Sequence, residues 1–476
     1  MAFNSYLYLL CLGILAVVYR FLSRHTKAQN ALLLAVSYGF YACWDWRFLS
    51  LILISTFTDF FVAQQIEKSE SSPKKGWWLG VSILVNLGLL GFFKYFNFFI
   101  YSAEQLLNSL GMQMDYPTLN IILPVGISFY TFQTLSYTID VYRGKSKPTY
   151  DLLNFSLYVT FFPQLVAGPI ERPSALMPQI ENARKVSLDD IAEGLHHILL
   201  GLFKKVVVAD NMAAIVDGAF AKGVEPLNGL ENWLALVAFA FQIYGDFSGY
   251  SSIAQGSAKL LGFNLSYNFH MPYFAKSPSD FWARWHVTLS QWLRDYVYIP
   301  LGGNRGGKLF TYRNLLLTML LGGLWHGAGW NFVFWGLYHG LILCAYRLCA
   351  FKINLQNVLV SKILSVIATL FMFKLTLIGW MLFRLDNVAQ ISEVLQSLYI
   401  FENWALTPLS IGIASMICFL TAPIMVYEYV IYKNENEHML FFKHHWLFRA
   451  LLYCYFLNMM ALYSVEAAQE FIYFQF

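Results

Sequence analysis

The sequence predicts an all-α, polytopic integral membrane protein, and three observations carry that prediction. Only 13% of its 476 residues are charged and 58% are hydrophobic, against about 25% charged in an average soluble domain. Apolar windows of about 20 residues, the length that crosses a bilayer as a helix, recur from end to end. These windows are continuous runs, without the period-two alternation of a spanning β-barrel. The net charge of +4 is the ordinary basic bias of cytoplasmic loops and not a nucleic-acid footprint. Six cysteines (Cys11, Cys43, Cys344, Cys349, Cys418, Cys454) lie in apolar stretches, with no C-x-x-C pair and no metal-like histidine spacing. They read as small buried hydrophobes.

Residues 3–22 form the first span. No Lys or Arg precedes it, and Arg20, Arg24 and Lys27 follow, which fits a retained span with its N-terminus outside. Residues 30–44 and 47–66 are two shorter runs joined by Trp44-Asp45-Trp46-Arg47 and closed by the basic loop of Lys68, Lys74 and Lys75. Residues 77–101 lead out. The loop 102–119 holds Glu104 and Asp115 without Lys or Arg and is placed outside, and 120–142 return to the basic turn Arg143–Lys147.

The segment FSLYVTFFPQLVAGPIERPSALMPQIENARK (155–185) is apolar for too short a distance to span. Pro163, Gly168 and Pro169 break it, so it reads as re-entrant or interfacial. Residues 190–216 lead out with Lys204 and Lys205 inside the window, which either snorkel or face a polar cavity. Residues 230–256 return with Gln242, Asp246 and Ser248, and Asp246 hints at a wet interior.

Residues 279–297 carry Trp282, Trp285, Leu289, Trp292 and Tyr296 at spacings of three and four, opposite Arg284, Gln291 and Asp295. The pattern predicts one amphipathic interfacial helix with an aromatic anchor face. It ends at Pro300 and the basic loop Gly302-Gly303-Asn304-Arg305-Gly306-Gly307-Lys308. Residues 314–346 would reach about 50 Å as one helix, too long for one upright span and too short for two. The break at His326-Gly327-Ala328-Gly329 is therefore placed within the membrane, where non-helical backbone is tolerated only inside protein or beside a cavity. Spans at 359–383, 405–432 and 447–464 follow. The acidic loop 385–403 is placed outside and Lys433–Arg449 inside, which leaves the terminal FIYFQF outside.

Three histidines, His286, His326 and His339, fall in the stretch 278–340. A histidine in so apolar a chain is more often a packed core residue. His326 stands apart because it sits at a glycine-flanked break, between Trp325 and Trp330, about twenty residues after a basic glycine-rich loop suited to a phosphate-bearing ligand. A neutral imidazole can take a proton from a hydroxyl at cytoplasmic pH. Zinc held by the three histidines is a competing reading, but no short H-x-x-x-H spacing supports it. Arg294 and Asp295 read as a structural ion pair.

Four stretches resemble the membrane-bound O-acyltransferase family, in its bacterial alginate O-acetylation branch. They are LPVGISFYTFQTLSYTIDVYRG (123–144), FFPQLVAGPI (161–170), SPSDFWARWHVTLSQWLRDYVYIPLGGNRGG (277–307) and GGLWHGAGWNFVFWGLYHG (322–340). The terminal FIYFQF is also similar to this branch. The resemblance implies a ring of about ten to twelve transmembrane and re-entrant helices around a central chamber. It implies one O-acyltransferase domain over 1–476: N-terminal spans 1–115, a catalytic core at about 120–350 and C-terminal spans 355–476. By the same resemblance His326 is the catalytic residue and His286 the second family position, with Trp325, Asn331 and His339 in support. Asn304, Arg305, Lys308 and Arg313 are expected to attract the phosphates of the donor, acetyl-CoA, and no metal is expected.

The implied acceptor lies outside a bacterial inner membrane: an SGNH-type acetyltransferase partner and, through it, a polysaccharide of the alginate type. Peptidoglycan O-acetylation is the alternative within the same chemistry, and D-alanyl transfer to teichoic acid fits the full-length match less well. A transporter or flippase without acyl-transfer chemistry is the alternative of a different class. The absence of an internal repeat and the His-Gly break weigh against it.

Overall fold

The computed structural model describes residues 3–112, 119–165, 168–221, 227–349, 358–400, 404–434, 445–465 and 471–472, and all regular structure among them is helical. Six helical stretches are long and apolar enough to cross a membrane: Thr26–Lys68, Ser72–Ser109, Trp330–Cys349, Val358–Arg384, Pro408–Lys433 and Trp446–Tyr463. The protein is a multi-pass membrane protein. Its chain forms two compact units, Met1–Ile198 with Ile253–Ser266, and Leu199–Ser252 with Tyr267–Phe476.

The first unit begins with α1 (Tyr6–Phe21), α2 (Thr26–Asp45) and α3 (Leu49–Lys68). Between α2 and α3 the expected junction is a single 3-10 turn, where Asp45 accepts the backbone N–H of Arg47. Next, α4 (Ser72–Leu90) and α5 (Phe96–Ser109) run on through a π-turn at Gly91–Tyr95, and α6 follows (Ile127–Tyr142). Hydroxyls and amides join three of these helices: Ser82 of α4 donates to Asp59 of α3 at 2.5 Å, Asn86 of α4 donates to its other oxygen at 2.9 Å, and Thr134 of α6 donates to Asn86. Such contacts tie helices where lipid removes the usual hydrophobic drive.

The segment read as re-entrant is three short helices, α7 (Leu152–Thr160), α8 (Phe162–Leu165) and α9 (Pro173–Glu181). Phe155 to Leu165 are buried throughout, so the broken backbone is enclosed by protein, as its proline content requires. Glu171 accepts from the backbone N–H and hydroxyl of Ser266, and Arg184 donates to Tyr19 and Asn30, each at 2.6 Å.

The helices α10 (Leu188–Leu202) and α11 (Asp210–Phe220) are joined by a π-turn at Phe203–Ala209, and α12 is a long helix (Gly229–Leu260). The two awkward lysines lie in that turn and neither snorkels. Lys204 pairs with Glu428 at 2.9 Å, and Lys205 pairs with Asp210 at 2.7 Å and Asp246 at 2.8 Å. Removing the cation of a buried group leaves its carboxylates uncompensated, a loss of about 3–5 kcal/mol. Lys205→Met is therefore expected to lower the thermal unfolding midpoint in detergent far more than removal of an exposed lysine such as Lys308.

The remaining helices are α13 (Pro278–Trp282), α14 (Val287–Leu293), α15 (Lys308–His326), α16 (Trp330–Cys349), α17 (Val358–Arg384), α18 (Val388–Tyr399), α19 (Pro408–Lys433) and α20 (Trp446–Tyr463). Three expectations change here. The amphipathic stretch 279–297 is not one helix, because Ala283–His286 interrupt it and Arg294–Tyr298 form a π-turn. Its aromatic stripe is core and not an interface anchor: Trp285, Leu289 and Trp292 are 0%, 2% and 6% exposed. The cysteines are not buried either. Among the six, Cys344 alone is buried, and the others sit on outward faces of apolar helices, where a thiol suits lipid.

The run 314–346 also resolves differently. The helix begins six residues earlier, at Lys308, and so supplies two helices of 19 and 20 residues. At 1.5 Å per residue these are about 28 and 30 Å long. They pair antiparallel: Gly323 lies against Phe332 and Gly336, Gly340 against Leu316, and Cys344 donates to the Tyr312 carbonyl. His326 is the last residue of the first helix, at the turn of a hairpin. Asp115, Glu402 and most of FIYFQF lie outside the described residues.

Candidate active site

Two local breaks place the histidines. At the first, His286 takes a left-handed backbone conformation, φ 41° and ψ 55°, unusual for a residue with a β-carbon. Surrounding bonds over-determine it. Val287 N–H donates to the Asn268 carbonyl at 3.0 Å, Thr288 donates to the Asn268 side chain at 2.7 Å, and His270 N–H donates to the Arg284 carbonyl at 2.9 Å. Burial, and then the Arg284 guanidinium, hold the neighbouring His270 imidazole below its ordinary pKa. At the second break Gly327 is extended. A methyl group there would stand 2.0 Å from the Phe332 ring, so only glycine lets the chain turn so closely over that ring.

His286, His326 and His339 are 0%, 3% and 1% exposed. They are interleaved with indoles. Trp325 lies between His286 and His326, with ring centroids at 5.6 and 5.1 Å. Trp335 lies between His326 and His339, at 4.9 and 4.7 Å. Phe383 closes over His326 at 5.4 Å. With an indole between each neighbouring pair, the three imidazoles do not converge, and among the described residues no group of three His, Cys, Asp or Glu is placed to hold a metal ion.

The supporting residues divide. Trp325 touches both histidines. Asn331 donates to the Phe383 carbonyl at 3.4 Å, so it steadies the ring over His326 from a distance. His339 is stacked on Phe281, nearly parallel at 6.1 Å, and meets Trp282 edge-on; its place is in the aromatic packing.

A cavity of about 220 Å³ has His326 and Trp335 in its lining. Its walls are Leu289, Leu293, Leu315, Met319, Gly322 and Leu343, with Ser290, Thr318, Arg294 and Tyr298 as polar interruptions. Tyr298 donates to Asn304, and Asn314 donates to the Gly303 carbonyl at 3.0 Å. The cavity wall and the basic loop are therefore one connected piece. Arg305 and Lys308 are exposed on that loop, whereas Arg313 bonds Asn314 and the Leu301 carbonyl and covers the Phe310 ring. Arg313 is a brace more than an open anion site. Arg294 does pair with Asp295, at 2.7 Å, and the carboxylate's hydrogen bond raises its pKa. It also lines the cavity, a role its adjacency to Asp295 conceals in the sequence. Trp335 and Phe383, which hold the His326 ring, are missed from sequence as well, because each lies on a different helix from it.

The class that these features fit, a buried imidazole on an apolar cavity beside a basic loop in a multi-pass helical protein, is a membrane-embedded enzyme. Residues 146–385 match the family model of MBOAT, the membrane-bound O-acyltransferase family. The chain belongs to that family, and the protein is a membrane O-acyltransferase. It is 41% identical over 388 residues to the probable alginate O-acetylase AlgI of Azotobacter vinelandii, covering 81% of this chain and 75% of that one. It is likewise 41% identical to the AlgI of Pseudomonas aeruginosa, over 81% and 72%. The peptidoglycan O-acetyltransferase of Helicobacter pylori is 37% identical over 79% of this chain and 75% of its own.

Proposed function

We propose that the protein moves an acetyl group from cytoplasmic acetyl-CoA across a bacterial inner membrane, for O-acetylation of an extracytoplasmic polysaccharide of the alginate type. The observation that carries this reading is the cavity lined by His326, Arg294 and Tyr298, beside the loop that presents Arg305 and Lys308. The acetyl thioester occupies the apolar part and the phosphates of the donor meet the loop. His326 takes the proton of the acceptor hydroxyl as its oxygen attacks the thioester carbonyl. The C–S bond then breaks, and the thiolate leaves as coenzyme A thiol after taking up the proton. His286, across Trp325, orients the acceptor side. An SGNH-type partner outside the membrane supplies the hydroxyl or relays the acetyl group to the polysaccharide. The relative named a peptidoglycan O-acetyltransferase keeps peptidoglycan as the second acceptor.

Proteoliposomes holding the protein test this. With labelled acetyl-CoA outside and partner plus oligosaccharide inside, label is expected to appear on the enclosed acceptor. Intact acetyl-CoA in the presence of a competent partner and acceptor would overturn acetyl-CoA as the donor. The same assay grades the loop: Arg305→Ala or Lys308→Ala is expected to raise the donor KM about twofold to fivefold with kcat nearly unchanged. The effect should fade as salt rises, because exposed charges are screened.

A further inference from the structure

Asp246 has no part in the transfer step above, yet it is 2% exposed in the middle of α12. One oxygen faces Lys205 at 2.8 Å, and Lys205 is also held by Asp210 at 2.7 Å. The other oxygen accepts the backbone N–H of Ile472 at 2.6 Å, from 226 positions along the chain. A lysine paired with two carboxylates leaves one negative charge over, and an N–H aimed at it strengthens the arrangement. An ion pair that served α11 and α12 alone would need no donor from so far away.

What that bond brings in is Phe471. Its side chain is 1% exposed, with ring centroids 4.5 Å from Tyr250 and 5.9 Å from Phe247. Phe247 in turn meets His286 edge-on at 4.7 Å, and His286 faces Trp325 beside His326. Contacts thus run without a gap from Lys205 and Asp246, through Phe471 and Phe247, to the two candidate catalytic rings. His286 holds a backbone conformation that persists only when its surroundings enforce it.

We propose that Asp246 is a positioning residue: it latches the backbone at Phe471–Ile472 so that Phe471 presses Phe247 against His286 and fixes the orientation of that imidazole. This rests on the reading of His286 and His326 as the transfer centre.

Hydrogen exchange and kinetics on the full chain in detergent separate the two parts. In Asp246→Ala the peptide containing Ile472 is expected to exchange at least about tenfold faster, and the peptide containing His286 to lose protection with it. Acetyl transfer is expected to fall about 10- to 100-fold in kcat with the donor KM unchanged, as for a misplaced catalytic group. Asp246→Asn keeps an oxygen for the Ile472 N–H and is expected to stay within about threefold of wild type. Phe471→Ala leaves the Lys205–Asp246 pair intact and is expected to reproduce the kcat loss without the stability loss of Lys205→Met. Unchanged exchange at Ile472 in Asp246→Ala overturns the latch. Wild-type kcat in Phe471→Ala overturns the positioning role. An inactive wild type with normal latch protection overturns the functional reading above instead, and the positioning role with it.

Discussion

Acetyl transfer by His326→Ala is expected to fall about 10²- to 10⁴-fold in kcat, the range a positioned general base supplies. The donor KM should change little, because the leucines, Met319 and Arg294 that line the cavity remain. The imidazole fills a slot between Trp325, Trp335 and Phe383, so its removal also leaves a void among large rings. A loss of activity alone would not separate chemistry from packing. His326→Gln nearly refills the slot with a side chain that cannot take a proton at neutral pH. It is expected to unfold within a few degrees of wild type and still show the full kcat loss. Recovery of more than a tenth of wild-type kcat in His326→Gln would make the residue a packing element and move the search to His286. The comparison residue is His339: His339→Phe keeps the stack on Phe281 and the edge contact with Trp335 and is expected to lose less than about tenfold.

Much of this site is legible in the sequence, for reasons that can be assigned to particular residues. The glycines at 327 and 329 announce a chain break that no helix-forming run would tolerate, and the histidine at its edge is the titratable group there. The order of the apolar runs is also legible, because hydrocarbon thickness sets their length. Lengths near a break are not. The start of α15, Lys308 to Asn314, is tied to the preceding loop, where Asn314 donates to the Gly303 carbonyl and Arg313 to the Leu301 carbonyl, and no local pattern of hydropathy reports that. The aromatic stripe 282–296 has the spacing of an interface helix, yet Trp285 and Trp292 are core, since period alone does not say whether lipid or protein covers a face. Side chains that converge from distant helices are the least legible. Trp335 and Arg294 line the cavity and Phe383 packs on His326 through tertiary packing alone, and the partners of Lys204 and Lys205 lie on other helices.

The second large effect is expected at Gly336, which touches no reacting group. A methyl group there would stand 2.4 Å from the Met319 carbonyl oxygen and 3.1 Å from the Leu320 α-carbon. Both obstacles are backbone, so no side chain can swing aside. The opposing residue has the same constraint: a methyl on Gly323 would stand 2.2 Å from the Phe332 carbonyl oxygen and 3.2 Å from the Gly336 backbone. The two helices therefore approach through small residues, the means by which membrane helices gain dispersion contact. Gly336→Ala forces α15 and α16 apart, and overpacking of this kind costs about 1–3 kcal/mol. The activity loss should exceed what that figure suggests. Trp335 is the neighbour of Gly336, and it forms one wall of the His326 slot and part of the cavity lining. A shift of about 1 Å at a catalytic group can cost about 10²-fold in rate. Gly336→Ala is thus expected to lower the unfolding midpoint modestly while lowering kcat about 100-fold. Gly412, where a methyl group meets nothing within 4 Å, is the control, and Gly412→Ala should change neither. Wild-type turnover in Gly336→Ala would mean that the hairpin's close approach serves stability alone and that His326 is held by Trp325 and Phe383 without it.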